Sequence, residues 1–204
     1  MQTFLSVVLA LTLVTSRLVA LGNPPGSWNE QEAKGYFPYH RLIESDFPIN
    51  DAVHPENGMY TDGFFRFQYH DHWSGTDGHF VARITDWVVW SGFNRNKSSR
   101  KSWFKKVAET LPHEQGHLDL SELHSKRLAE TPIDKLPVGE GATAEEAHAD
   151  LQRKMTALSQ RVTAANQAEQ NRYDAETNHG ANAAKQREWS AQIQARLQRA
   201  GIHF

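Results

Sequence analysis

Two histidines and a glutamate stand at residues 113, 117 and 114, in the pattern H-E-x-x-H. On a helix, His113 and His117 lie one turn apart on the same face, the spacing at which two imidazole nitrogens bind one Zn²⁺ at about 2.0–2.1 Å. Glu114 lies roughly 100° around such a helix, where it need not ligate the metal and can act as a general base towards a metal-bound water. The spacing therefore predicts a zinc site that supports hydrolysis.

The residues around this motif predict that both histidines face the protein interior. At about 100° per residue, they share one side of the helix with Leu120, His124 and Leu128. The other side is polar without them and carries Gln115, Asp119, Glu122 and Lys126. Since buried imidazoles need partners, a shared metal is favoured over two surface histidines. His124 cannot join that metal, because it lies about 10.5 Å further along the helix axis than His117.

A third ligand must come from another element, and a long helix predicted over residues 144–176 offers candidates. Its inward stripe begins with apolar residues: Leu151, Met155, Leu158 and Val162. The same stripe ends with polar residues: Glu169, Tyr173 and Glu176. An inward polar patch is expected where a helix meets a site. His179 follows just past the last turn, beside the predicted helix cap Gly180, and from there it could reach the metal.

The composition excludes several other classes of protein. The chain has no cysteine, which excludes disulfide scaffolds, Cys-ligated zinc, iron–sulfur clusters and thiol nucleophiles. Its 11 histidines leave imidazole and carboxylate as the ligands for a transition metal. The net charge of −2 provides no basic field for nucleic acid. With 39% hydrophobic and 23% charged residues, the 204-residue chain can bury a core.

The first 22 residues are predicted to be a secretory signal peptide. Residues 4–14 form an apolar run that is too short to span a bilayer. Small residues allow cleavage after Ala20 or after Gly22. We therefore expect a secreted or periplasmic protein whose residues 23–204 form one domain, with no membrane span after the signal is removed. An uncleaved anchor is the alternative.

We expect an α+β fold, β-rich over residues 23–97 and helical over residues 98–204. A small antiparallel sheet is predicted within residues 36–90. Its clearest part is a hairpin, because residues 64–70 and 79–90 are aromatic or alternating and the segment between them is rich in turn residues.

Three to four helices are predicted to pack against this sheet. The first is expected to begin at Ser98 and to break or restart at Pro112, and the second to end near Glu130. Residues 131–143 are predicted to be a linker before the long helix. A last helix is expected to follow Asn182.

Two motifs together resemble those of a bacterial protein family. The segments 111–122 (LPHEQGHLDLSE) and 173–180 (YDAETNHG), followed by Gln186 and Trp189, look like stretches of the predicted secreted zinc-dependent proteases termed DUF922. The resemblance extends over roughly residues 28–200. It implies an exported chain, a zincin-like active-site helix and peptidase activity on a peptide or protein substrate.

The resemblance also implies roles for particular residues. By motif match, His113 and His117 are ligands of Zn²⁺ and Glu114 is the general base. His179 is the predicted third ligand, and Glu176 and Asp174 are the alternatives to it. Tyr173 is the predicted transition-state donor.

Two other functions stay open at this point. One is a non-catalytic zinc-binding module of the cell envelope, in which a closed four-ligand site only locks helices together. The other is a metal-free helical interaction protein built on residues 144–200.

Overall fold

The computed structural model describes residues 28–53 and 58–202. Within these ranges the chain has an α+β fold, which confirms the predicted class. The predicted signal peptide, residues 1–22, lies outside the described residues. In the part of the chain that is described, no helix has the length and apolar character needed to cross a membrane.

The described residues form four helices and six strands. The helices are α1 (Trp28–Glu32), α2 (Val107–Ala129), α3 (Ala144–Thr177) and α4 (Ala183–Arg199). The strands are β1 (Tyr36–Pro38), β2 (Met59–Tyr60), β3 (Gly63–Thr76), β4 (His79–Asn94), β5 (Ser99–Arg100) and β6 (Val138–Gly141).

Strand β4 is the centre of the main antiparallel sheet. The whole of β3 pairs along one of its edges. On its other edge, β6 pairs with residues 80–83 and β1 pairs with residues 92–94. Strands β2 and β5 form a separate two-stranded antiparallel sheet. The sheet of β4 is therefore completed by a strand from the helical half of the chain.

Two segments that were predicted to be irregular belong to this sheet. The turn expected over residues 71–78 shrinks to Asp77 and Gly78, whose φ angles of 53° and 80° suit a two-residue hairpin. Strand β3 continues through the polar residues because Asp71 is buried and bound by His148 of α3, with 2.8 Å between Oδ2 and Nδ1. The linker expected over residues 131–143 contains β6.

The prediction of a helix from Ser98 with a break at Pro112 is wrong. Residues 99–100 form β5, and α2 begins at Val107 and continues through Pro112. The proline removes one backbone hydrogen bond, to the carbonyl of Ala108, and Ala108 is exposed so that water can replace it. The H-E-x-x-H motif therefore lies on one uninterrupted helix.

Three buried clusters hold the helices in place. One joins the sheet to the first half of α3 and contains Phe67, Tyr69, Ile84, Leu151 and Met155. A second lies under the start of α2 and contains Leu42, Phe47, Phe93, Val107 and Leu118. The third joins α2, the end of α3 and α4, and contains Leu120, Tyr173, Trp189, Ile193 and Leu197.

The polar side of α2, which faces away from the histidine pair, is also covered. Asp119 is buried, and its Oδ1 accepts hydrogen bonds of 2.8 Å from the Tyr39 hydroxyl and the Gln115 amide. Glu122 accepts a hydrogen bond from the Ser91 hydroxyl on β4. Burial raises the pKa of both Asp119 and Glu122. Helix α2 is thus a central helix with polar contacts on one side and a histidine pair on the other.

A glutamate of α3 ties the three long helices together. Glu169 accepts a hydrogen bond from Nε2 of His124 on α2 at 2.9 Å. The Arg196 guanidinium on α4 donates two more, at 2.7 and 3.1 Å. These contacts, the His124 hydrogen bond first, outweigh burial and lower the pKa of Glu169 to about 2.

Glu169→Gln is expected to lower the free energy of unfolding at neutral pH. The folded pKa of about 2 lies below the ordinary value of 4.5, so the carboxylate stabilises the fold above pH 4.5 and this contribution is lost as the pH falls towards 2. Urea unfolding at a series of pH values should show the two proteins differing at pH 7 and converging below about pH 4.

The matched control is Glu188→Gln, which removes a carboxylate from an exposed pair with Lys185 on α4. It should change the free energy of unfolding by less than about 1 kcal/mol at any of these pH values. A gap between the wild type and Glu169→Gln that stays constant from pH 7 to pH 3 would contradict the assignment.

Candidate metal centre

Three side-chain atoms converge at the middle of α2. Oδ1 of Asp174 on α3 lies 3.1 Å from Nε2 of His113 and 3.0 Å from Nε2 of His117. The two Nε2 atoms lie 3.2 Å apart. Zinc bonds of about 2.0–2.1 Å in a tetrahedral site place neighbouring ligand atoms about 3.3 Å apart, so the three atoms nearly match the metal's requirement. His113, His117 and Asp174 could therefore hold a metal ion.

The Gln170 side chain on α3 determines which nitrogen of His117 faces this point. Its Nε2 donates to the backbone carbonyl of His117 at 2.9 Å, which identifies that end of the amide as the nitrogen. Its Oε1 contacts Nδ1 of the His117 ring. An amide oxygen only accepts, so Nδ1 carries the hydrogen and Nε2 keeps its lone pair.

Gln186 of α4 does the same for His113 through a closed ring of hydrogen bonds. The Tyr173 hydroxyl donates to the backbone carbonyl of His113 at 3.1 Å. It must therefore accept from Nε2 of Gln186, which lies 2.7 Å away. The amide oxygen of Gln186 then faces Nδ1 of the same histidine, at 3.1 Å. His113 too presents an Nε2 lone pair to the centre.

Two imidazole lone pairs and a carboxylate oxygen therefore face one another at short distance. Such a cluster of acceptors in a partly buried site is unfavourable unless a metal or a proton binds there. Burial raises the pKa of Asp174, but hydrogen bonds from His113 and His117, which form when a ring gains a proton on Nε2, outweigh it and hold that pKa well below its usual range. Burial lowers the pKa of His117, but Asp174 and Glu114 together raise it. A proton and a metal would therefore compete for this point.

Close packing holds the rings in this orientation. The Tyr173 ring stacks on His113 with 4.7 Å between centroids and 18° between planes. Gly116 makes room for it, because a Cβ there would collide with the Tyr173 hydroxyl. Gly180 also packs against His113. Its φ is 81°, and a Cβ on it would lie 3.1 Å from the Cβ and Cγ of His113. Both glycines are needed for the close approach.

His179, the predicted third ligand, lies at the rim of this centre. Asn178, His179 and Gly180 all have positive φ angles, which turn the chain back towards α2 after α3 ends. Nδ1 of His179 lies 3.5 Å from Oδ1 of Asp174, and its side chain is 72% exposed. The structure therefore brings together the two histidines of α2 and the alternative ligand Asp174, and it places His179 next to them.

The other two predicted site residues have partners elsewhere. Tyr173 is fully buried beneath His113, and its hydroxyl is engaged by the Gln186 amide and a backbone carbonyl. Oε2 of Glu176 accepts a hydrogen bond from the Trp189 indole at 2.8 Å. Both side chains support the helices around the centre.

Glu114 lines a cleft of about 860 Å³ that also contains the three converging atoms. The residue is 4% exposed. Its Oε2 has no hydrogen-bond partner in the described parts of the chain. A buried carboxylate oxygen without a partner is costly, so it indicates that the site takes a polar ligand beside Glu114.

Sequence reasoning missed the role of the two glutamines that orient the histidines. Gln170 precedes Asp174 by four residues, so the two share a face of α3, and that spacing was the available signal. Gln186 had been noted only as part of the family resemblance. Its role depends on the packing of α4 against α2, which no local pattern encodes.

The comparisons with known proteins agree with part of this picture. Residues 89–180 match the family described as "Bacterial protein of unknown function (DUF922)". The matched segment is somewhat less than half of the chain and narrower than the resemblance noted from the sequence. It contains Glu114 and the three residues that could hold a metal ion. A search of curated proteins and a search of solved structures gave no match.

Gln170→Met is expected to weaken zinc binding by about 10- to 100-fold, because His117 loses the acceptor that fixes its ring. The dissociation constant can be measured by competition with a chromophoric chelator.

Gln167→Met is the matched control for this substitution. Gln167 lines the same cleft one turn earlier on α3, and among the described residues its amide bonds Asn171 and neither histidine. Its substitution should leave the dissociation constant unchanged. Equal effects of the two substitutions would show that Gln170 does not orient the ligand.

Proposed function

We propose that this protein is a secreted or periplasmic zinc-dependent peptidase. The observation that carries the proposal is the convergence of Nε2 of His113, Nε2 of His117 and Oδ1 of Asp174 beside Glu114. Two imidazoles and one carboxylate are a ligand set that catalytic zinc sites use, with a further position left for water or substrate. The export of the chain rests on the predicted signal peptide.

The donor set fits zinc better than a hard cation. Magnesium and calcium prefer oxygen ligands, whereas two of the three converging atoms are imidazole nitrogens. When bound, zinc lowers the pKa of a coordinated water to about 7 and polarises a carbonyl group. His113, His117 and Asp174 would hold the ion, and Gln170 and Gln186 would keep the ring nitrogens aimed at it.

Glu114 would move the proton. Its Oε2 accepts a proton from the water whose oxygen attacks the carbonyl carbon of the peptide. As the C–N bond breaks, Glu114 returns that proton to the leaving amine nitrogen. Glu114 lines the cleft beside the three converging atoms, and its Oε2 has no other hydrogen-bond partner among the described residues, which supports this role.

The second candidate is a structural zinc site closed by a fourth protein ligand. It is favoured by the 3.5 Å between Nδ1 of His179 and Oδ1 of Asp174. The partnerless oxygen of Glu114 supports the peptidase instead, because a structural site does not need a base.

Purified protein is expected to hold about one Zn²⁺ per chain, and Glu114→Gln is expected to keep the metal and lose hydrolysis by at least about 100-fold. Glutamine preserves the shape of the side chain and cannot accept the proton. Zinc is quantified by mass spectrometry, and hydrolysis is followed with a mixed peptide substrate.

Asp174→Asn and the double variant His113→Ala/His117→Ala are the controls, and both should bind less metal. Hydrolysis that persists in Glu114→Gln would exclude Glu114 as the base. A wild-type protein that holds no zinc after reconstitution would overturn the proposal.

His179→Ala separates the two candidate functions. If His179 is outside the coordination sphere, the dissociation constant for zinc should change by less than about threefold, well below the effect of losing even a supporting residue. A loss beyond about 100-fold would identify His179 as a ligand and favour the closed site. Competition with a chelator measures this directly, with no need for a substrate.

A further inference from the structure

The cleft around the metal centre is a groove with three sides. Its floor is the face of α2 from Glu109 to Ser121. One wall is the extended segment 58–63, which includes β2. The opposite wall is the second half of α3, which presents the amide side chains of Asn166 and Gln167.

Close contacts at both ends show how the extended wall runs. Gly58 packs against the Phe104 ring near the start of α2. Gly63 packs against Ser121, where a Cβ would lie 2.7 Å from the hydroxyl oxygen. The wall therefore follows α2 from its first turn past the motif.

The length of this groove suits a short stretch of extended polypeptide. Ser121 follows Glu109 by twelve positions on the helix, which at about 1.5 Å per position is about 18 Å. An extended chain rises about 3.3 Å per residue, so the groove accommodates five or six residues.

The metal centre lies in the middle of that length. His113 is one turn, about 6 Å, from Glu109, and His117 is one turn from Ser121. Exposed residues flank both ends, with Glu109 at one and Gln167 at the other. A polypeptide in the groove would therefore have residues on both sides of the reacting bond.

An aromatic ring supplies an apolar surface at one end of the groove. Phe104 lines the groove and is partly exposed, on the same wall as Tyr60. Its neighbour Trp103 is 59% exposed and contacts the Phe104 ring edge-on, with 5.9 Å between centroids, but does not line the groove.

These features lead to one inference, which rests on the proposed peptidase function. We infer that the substrate is an internal, extended segment of a polypeptide, with a large apolar side chain against Phe104. The protein is then an endopeptidase that needs no free chain end.

The test uses zinc-loaded protein and internally quenched peptides of eight residues, made with free ends or with acetylated and amidated ends. Blocked peptides should be cleaved within about threefold of the free ones, because the groove extends past the metal on both sides. One position should prefer Leu or Phe over Asp by at least about tenfold, as burial of one apolar side chain allows.

Phe104→Ala should reduce that preference by about tenfold, whereas Trp103→Ala is the matched control and should retain it. Phe104 also packs against the core, so Phe104→Leu, which keeps an apolar side chain, serves if the alanine variant does not fold. The leucine variant should shift the preference towards larger apolar residues.

Peptide binding is measured separately, by the fluorescence anisotropy of a blocked, labelled peptide added to the Glu114→Gln protein. Adding the Phe104→Ala substitution to this protein should weaken peptide binding. Cleavage confined to peptides with a free amino or carboxyl end would overturn the inference and leave the peptidase proposal standing. An unchanged preference in both Phe104 variants would overturn the assigned contact. If zinc-loaded protein cleaves no peptide, the peptidase proposal fails, and the inference falls with it.

Discussion

Repulsion among three acceptor atoms is the constraint around which this structure is arranged. Nε2 of His113, Nε2 of His117 and Oδ1 of Asp174 would separate if their side chains were free to rotate. Gln170 and Gln186 prevent this by holding the opposite ring nitrogens, and Tyr173 prevents it by stacking. The set is preorganised, so the binding of a cation would require little reorganisation.

That arrangement depends on a helix which is enclosed on both sides. The motif side of α2 contacts α3 and α4, and its polar side is satisfied by Tyr39 and by Ser91 of the sheet. A surface helix would leave the histidines free to take several rotamers. Here the sheet on one side and the Glu169 contacts on the other fix the position of α2, so the fold itself carries the precision that a metal site needs.

Local patterns predicted the parts of this protein that are determined locally. The histidine spacing, the bounds of α3 and the cap Asn182 depend on neighbours within a few residues. The start of α2 and the strand through residues 71–76 were mispredicted, because β5 pairing and the His148–Asp71 contact come from distant segments. The presence of Asp174 beside both histidines depends on how α3 crosses α2, which a helical wheel of either helix alone does not contain.

Helix α3 runs without a break from the sheet to the candidate metal centre. Leu151 is fully buried against the sheet, and Asp174 follows 23 positions later, about 35 Å along the axis. An extra residue inserted between them would turn the carboxylate by about 100° and move it about 1.5 Å, away from both imidazoles. The number of residues in this stretch therefore matters for the arrangement of the three atoms as much as their identity does.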